Sequence, residues 1–254
     1  MKHLFDLSGK TALVTGSGGG LGLVMARGLA EYGARVILHG RDARKVDDAV
    51  TGLRRDGLSA DGCTFDITDA DAIALGVEAI TANLGPVDIL VNNAGMQLRT
   101  PLEEFPEDGW DRIFATNLKA PWLVAKAVVG RMIERQAGKI INICSIQSEL
   151  GRPTITPYAT SKGGLKMLTK GMAVEWAQHN IQVNGIGPGY FKTELTRALW
   201  EDEAFDQWLR DRTPANRWGD PKELVGALQF LASDASSYVN GQIIYVDGGL
   251  LASV

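Results

Sequence analysis

Tyr158 and Lys162 stand four residues apart in Tyr158-Ala159-Thr160-Ser161-Lys162, so in a helix they share one face about a turn apart. A free phenol, with a pKa of about 10, is a poor acid or base at neutral pH, and a nearby ammonium favours its ionised form. Ser145 ends the run Lys139-Ile140-Ile141-Asn142-Ile143-Cys144, which reads as a buried strand, and a hydroxyl there can donate to a carbonyl or alkoxide oxygen. Together the three side chains suit proton transfer at an oxygen-bearing carbon. Taken alone, Tyr158 is an amphipathic surface residue and Lys162 a solvated charge, so the elements around them must decide.

The first of those elements is a short β-rich run, 10–15, followed by Gly16-Ser17-Gly18-Gly19-Gly20-Leu21-Gly22 and an apolar periodic stretch through Ala34. Strand, glycine-rich turn, helix is the context in which backbone N–H groups and a helix N-terminus meet a pyrophosphate. Further strands read at 35–39, 61–65, 87–91, 139–144, 181–186 and 242–246. Helices read at 42–56, 69–84, 111–137, 158–179 and 220–232. Residues 192–212, rich in Trp, Leu, Arg and acids, read as a lid over the substrate, bounded at about 190–213, with Trp200 and Trp208 open between lid, core and subunit contact. The alternation predicts an α/β fold: one doubly wound parallel sheet of Rossmann type, helices on both faces, in a single domain over 1–254.

Composition narrows the function classes. With 45% hydrophobic and 22% charged residues in 254, the chain has apolar material for one sizeable core. A formal net charge of −4 with dispersed basic residues gives no electrostatic case for nucleic acid or an anionic membrane. No apolar run reaches signal-peptide or membrane-spanning length, which predicts a cytoplasmic protein. Cys63 and Cys144 fall in predicted strands as small buried hydrophobes, and His3, His39 and His179 lack metal-ligand spacing, so no metal is expected.

Thr15-Gly16-x-x-x-Gly20-x-Gly22, Asn92-Asn93-Ala94-Gly95, Thr116-Asn117-Leu118, Ser145 with Tyr158-x-x-x-Lys162, and Gly187-Pro188-Gly189 together resemble the short-chain dehydrogenase/reductase family. The resemblance covers almost the whole chain. It implies reversible hydride transfer with a nicotinamide dinucleotide, catalysed by Ser145, Tyr158, Lys162 and Asn117, the last in a kinked turn holding a water beside Lys162. It also implies that Gly16, Ser17, Gly20, Leu21 and Gly22 cradle the cofactor phosphates and that Asp66 and Ile67 contact the adenine. Asn92, Asn93, Ala94 and Gly95 would face the cofactor, as would Tyr158 and Lys162. Pro188, Gly189 and Thr193 would lie at the nicotinamide, although Thr193 read alone is a helix cap. Gly40 occupies the place of the acid that selects NAD, and Arg41 follows it, suited to a 2′-phosphate; NADP is therefore the preferred cofactor, with NAD left open.

Within the family, Pro101-Leu102-Glu103-Glu104-Phe105, the Ile143–Leu150 segment, Gly189-Tyr190-Phe191 and Thr213-Pro214-Ala215-Asn216-Arg217-Trp218-Gly219 resemble a branch that interconverts gluconate and 5-ketogluconate. A sugar acid would then meet Arg99, Gln147, Glu149 and Arg152 beside Ser145 and Tyr158, an Arg fork suiting its carboxylate. Arg99 and Arg152 have a plainer reading, as solvated charges or as partners of acids across a subunit boundary. Two alternatives share the motifs: a 3-oxoacyl carrier-protein reductase, and a non-catalytic dinucleotide-binding sensor or scaffold. The resemblance also implies a homotetramer.

Overall fold

The computed structural model describes residues 4–253, so His3 lies outside it. Seven strands, β1 (Thr11–Val14), β2 (Arg35–Gly40), β3 (Ala60–Thr64), β4 (Ile89–Asn92), β5 (Gly138–Ile143), β6 (Ile181–Pro188) and β7 (Ile243–Val246), form one sheet in the order β3-β2-β1-β4-β5-β6-β7, all pairs parallel. The helices are α1 (Gly20–Glu31), α2 (Ala43–Arg55), α3 (Ala70–Leu84), α4 (Glu107–Phe114), α5 (Ala120–Arg135), α6 (Thr156–Trp176), α7 (Arg197–Trp200), α8 (Glu203–Arg212) and α9 (Val225–Ala232).

Side chains alternate across a strand, and here both faces are covered, which is why the strands read as unbroken apolar runs. Ala12, Val14, Val36, Leu38, Ile89 and Val91 pack with Leu29 of α1, Val50 of α2 and Leu228 of α9. Leu13, Ile37, Leu90 and Ile140 point the other way, onto Val77 of α3, Val128 of α5 and Met172 of α6. The register sets Leu13 between Ile37 and Leu90, so both layers run continuously across the centre of the sheet.

Helix starts follow their caps. Asp42 accepts from Arg44 N (3.0 Å) and Lys45 N (3.3 Å), and Asp69 accepts from Asp71 N (2.9 Å) and Ala72 N (3.1 Å). The helix expected over 111–137 is instead three pieces: α4, a π-helical turn Ala115–Lys119 centred on Asn117, and α5. The widened turn sits where the buried Asn117 side chain is bound on both sides by neighbouring segments. The segment expected over 220–232 opens with a tight turn, Pro221–Leu224, because Asp220 and Glu223 cap each other's backbone, and only then becomes α9.

The expected lid is two short helices, α7 and α8, closed by Leu199, Leu209 and Trp218 against Ile146 and Leu250. Trp208 stays 46% exposed while stacking near Phe205 and Tyr190; Trp200 is half-buried, with Lys192 and Arg197 over its ring. Among the described residues no helix is long and apolar enough to cross a membrane, and no cluster of His, Cys, Asp and Glu is suited to a metal ion.

Candidate active site

β1 and β4 are neighbours in the sheet although the chain leaves them in opposite directions, so a crevice opens at their C-terminal ends. A cavity of about 960 Å³ occupies it, running from the glycine turn past the ends of β4 and β5 to the lid.

At one end, Gly16 (φ 66°) and Gly20 (φ 56°) hold left-handed conformations that L side chains rarely adopt. A Cβ on Gly22 would lie 2.4 Å from Gly16 O and 2.5 Å from Asn93 Nδ2, whereas one on Gly19 or Gly20 would meet nothing within 4 Å. The turn is therefore tight underneath and open above. No side chain caps α1 and no acid stands in its first turn, which leaves its N–H groups and positive dipole end to the cavity. That arrangement fits a pyrophosphate.

Asn93 Nδ2 donates to Thr15 O (2.9 Å) and Gly16 O (3.0 Å), while the N–H groups of Asn93 and Ala94 donate to Thr15 Oγ1. Asn93, Ala94 and Gly95 line the cavity, as do Leu21, Ile67, Pro188, Gly189 and Thr193. Two residues expected at the cofactor lie outside that lining. Asn92 is buried away from the lining, donating to Asn142 Oδ1 (2.9 Å) and Pro121 O (3.3 Å), so it braces β4 against β5 and α5. Ser17 is fully buried, its hydroxyl donating to Val14 O (2.6 Å) and accepting from His39 N (3.0 Å), so it ties the turn to β1 and β2 from below. Thr193 both lines the cavity and caps the following turn, pairing with Thr196.

Arg41 and Asp66 line the cavity beside the glycine turn, and Lys45 joins them. Lys45 was missed in the sequence; the signal was Asp42, whose capping bond to Lys45 N fixes the first turn of α2 at the crevice. Asp66 accepts from Thr68 N and Thr68 Oγ1, both 2.8 Å, and these bonds hold its carboxyl below the usual range.

His39, buried at the end of β2, lies under this end. Its Nε2 meets Phe65 O at 3.0 Å and its Nδ1 accepts from Gly16 N at 3.4 Å. A carbonyl only accepts and an amide N–H only donates, so the partners assign the neutral Nε2–H tautomer. Burial pulls its pKa below 6.5, against the opposing pull of the Phe65 carbonyl and Asp66. With the folded value below the unfolded one, its contribution to stability is complete above about 6.5 and is lost as pH falls through the folded value. The thermal midpoint of wild type is therefore expected to fall more steeply from pH 8 to 5 than that of His39→Leu, which starts lower; parallel curves would rule out His39 as a source of the acid dependence.

At the far end, Tyr158 and Lys162 project from α6 and Ser145 from the turn after β5. Gln147 N donates to Ser145 Oγ (3.1 Å), and Ser145 stands near enough to the Tyr158 phenol to pull its pKa down. Lys162 Nζ donates to Ile143 O (2.6 Å) and lies 5.8 Å from the centre of the Tyr158 ring. At the Tyr158 phenol burial dominates and raises the pKa, with Ser145 opposing. Burial likewise lowers Lys162 to about 8. A closed, low-dielectric end favours the neutral form of both groups.

Asn117 is fully buried. It accepts from Met96 N (2.8 Å) and donates to Met96 O (2.9 Å) and Ser161 Oγ (3.1 Å), tying the β4 loop to α6. The kinked turn is present, and these three bonds engage the Asn117 side chain.

Arg99, Gln147 and Arg152 line the lid end of the cavity. The two arginine loops are joined by Thr100 N donating to Thr154 O (3.0 Å). Neither arginine makes an ion pair among the described residues; burial and the charge of Arg152 pull the Arg99 pKa down. Arg152 also stacks on Phe205 of the lid (4.6 Å) and donates to Tyr190 OH (3.4 Å). Glu149, expected in the same cleft, is outside the cavity lining: it pairs with Lys166 of α6 and accepts from Tyr245 OH of β7 (2.5 Å). An acid with two partners of its own is diverted from substrate.

The chain belongs to the short chain dehydrogenase family, whose model matches residues 10–204. It is 56% identical over 254 residues, the full length of both chains, to 5-keto-D-gluconate 5-reductase of Escherichia coli (strain K12). It is 55% identical over 256 residues, again all of both, to gluconate 5-dehydrogenase of Gluconobacter oxydans (strain 621H). The crystal structure of a gluconate 5-dehydrogenase from Burkholderia cenocepacia J2315 in complex with NADP and tartrate matches it with a TM-score of 0.97 and 52% identity, over 98% of each chain.

Proposed function

We infer that the protein is a gluconate 5-dehydrogenase, reducing 5-ketogluconate and oxidising gluconate at C5 with NADP(H). One observation carries this: a single cavity joins an uncapped glycine-turn helix, the Ser145, Tyr158 and Lys162 side chains, and two arginines without carboxylate partners among the described residues. Full-length similarity to the two gluconate enzymes supports it, and NADP in the Burkholderia structure supports the cofactor.

When bound, the nicotinamide cofactor supplies or accepts the hydride. Gly16, Gly20, Leu21 and Gly22 would hold its phosphates, Arg41, Lys45, Asp66 and Ile67 its adenosine half. Asn93, Ala94, Gly95, Lys162, Pro188, Gly189 and Thr193 would hold the nicotinamide half. Tyr158 gives a proton to the substrate oxygen in reduction and takes it in oxidation. Ser145 Oγ accepts from Gln147 N, which leaves its single O–H to donate to the substrate oxygen, where it stabilises developing charge. Lys162 holds positive charge beside that oxygen below about pH 8. Asn117 positions Lys162's helix through Ser161.

Arg99 and Arg152 hold the carboxylate. Arg99→Ala is expected to lower kcat/KM for gluconate by roughly tenfold or more, one charge-assisted contact being worth about 1.5 to 3 kcal/mol, and to spare an uncharged polyol of similar length. Equal loss on both substrates, or no gluconate oxidation by wild type, would remove the sugar-acid reading. A 3-oxoacyl ketone run beside them tests the carrier-protein alternative.

The family resemblance also supports a homotetramer. Exposed Trp122 on α5 and Met167 and Val174 on α6 would supply apolar contact area, and light scattering would measure the assembly.

A further inference from the structure

We propose that Gln147 recognises the hydroxyl on the carbon next to the reacting one, so that the site selects hydroxylated substrates over their deoxy counterparts. The proposal rests on the sugar-acid reading and adds to it the group that reads the sugar's hydroxyl pattern.

The starting point is an unpaired atom. Gln147 is only 8% exposed, yet its Oε1 has no hydrogen-bond partner among the described residues. Oxygens of other buried amides are paired: Asn117 Oδ1 accepts from Met96 N (2.8 Å), Asn142 Oδ1 from Asn92 Nδ2 (2.9 Å) and Asn184 Oδ1 from Gln242 N (3.0 Å). Thr213 Oγ1 is the one other buried side-chain atom of this kind among the described residues, and Thr213 is not part of the cavity lining. Gln147 is part of it. A buried polar group without a partner costs stability, so one retained in a ligand cavity points to a partner that arrives with the ligand.

The root of the side chain is fixed. Gln147 N donates to Ser145 Oγ (3.1 Å), Ser148 N donates to Ser145 O (2.9 Å), and Ser148 Oγ donates to Lys162 O (3.0 Å). The side chain thus leaves the backbone two residues from the hydroxyl that orients the reacting oxygen. Three substituents compete for it. A methylene offers nothing to either end of an amide. A carboxylate only accepts, and two arginines already serve it. A hydroxyl both donates and accepts, so it satisfies the carboxamide whichever of its ends faces the cavity. Because Gln147 and Ser145 share one short turn, the hydroxyl within its reach is the one beside the reacting carbon.

The test compares wild type with Gln147→Met, which keeps the volume and removes the amide. Each is assayed with NADPH on 5-ketogluconate and its 4-deoxy and 6-deoxy analogues, and on 3-hydroxybutanone and butanone. Wild type should prefer 5-ketogluconate over one of the deoxy analogues by roughly 10- to 100-fold in kcat/KM. The variant should lose that preference by slowing on the hydroxylated substrate alone, while the thermal midpoint of the free enzyme holds or rises because an unpaired buried amide has gone. Equal losses on hydroxylated and deoxy substrates with a lower midpoint would make Gln147 a structural residue and overturn the inference. So would a wild type with no preference for the hydroxylated member of either series. A wild type that reduces 3-hydroxybutanone and ignores 5-ketogluconate would remove the sugar-acid reading instead, and the role of Gln147 would still be decided by the four-carbon pair.

Discussion

Tyr158→Phe is expected to lower turnover in both directions by roughly a hundred- to ten-thousandfold, the usual contribution of a positioned acid/base, while NADPH still binds. The substitution removes one oxygen and keeps the ring against its neighbours. It leaves Lys162 bonded to Ile143 O and Ser145 bonded to Gln147 N, so the remaining site keeps its shape. The pH dependence gives a second readout. Burial raises the Tyr158 pKa, so the protonated form that reduction needs is present across neutral pH, and the deprotonated form that oxidation needs gains population as pH rises. Wild-type oxidation should therefore climb with pH over a range where reduction does not, and the variant should lose that climb. Near wild-type turnover, or an unchanged pH profile at low residual rate, would show that another group moves the proton.

Properties set by local pattern were legible in the sequence. Unbroken apolar runs marked strands covered on both faces, and Asp42 and Asp69 marked helix starts. For Asn117 the local pattern alone reads as an exposed amide in a helix, and it was the family resemblance that pointed to the kinked turn, which the structure shows as π-helical with Asn117 buried. Properties set by distant neighbours were not legible. Asn92 and Asn93 are adjacent and identical in type, but the alternation of β4 turns Asn92 onto Asn142, 50 positions away, and leaves Asn93 to the glycine turn. Glu149 is diverted by Lys166 and by Tyr245, the latter 96 positions distant on the edge strand. The phenol pKa differs for a related reason. A pairwise reading captured the charge of Lys162, whereas desolvation is a property of the whole closed end of the cavity and it wins.

Arg41 and Lys45 carry the other large expected effect. Gly18 and Gly19 leave the phosphate turn itself without a basic side chain, and Lys45 stands next to it. A Cβ on Gly18 would lie 3.6 Å from Lys45 Cβ, so α2 brings a cation to the edge of that turn, and Arg41 brings a second from the end of β2. Two cations on one cavity edge suit the doubly charged 2′-phosphate of NADP and offer nothing of comparable strength to the ribose hydroxyl of NAD. Each charge-assisted contact is worth about 1.5 to 3 kcal/mol, so Arg41→Ala with Lys45→Ala should weaken NADPH by roughly a hundredfold or more and change NADH little. Each single variant should carry part of the loss, and the NADPH affinity of wild type should fall with added salt more steeply than that of the double variant. Both residues are surface charges without a cofactor role if the double variant weakens NADPH and NADH equally, or if wild type prefers NADH. A loss confined to Arg41→Ala would leave the 2′-phosphate to that guanidinium alone.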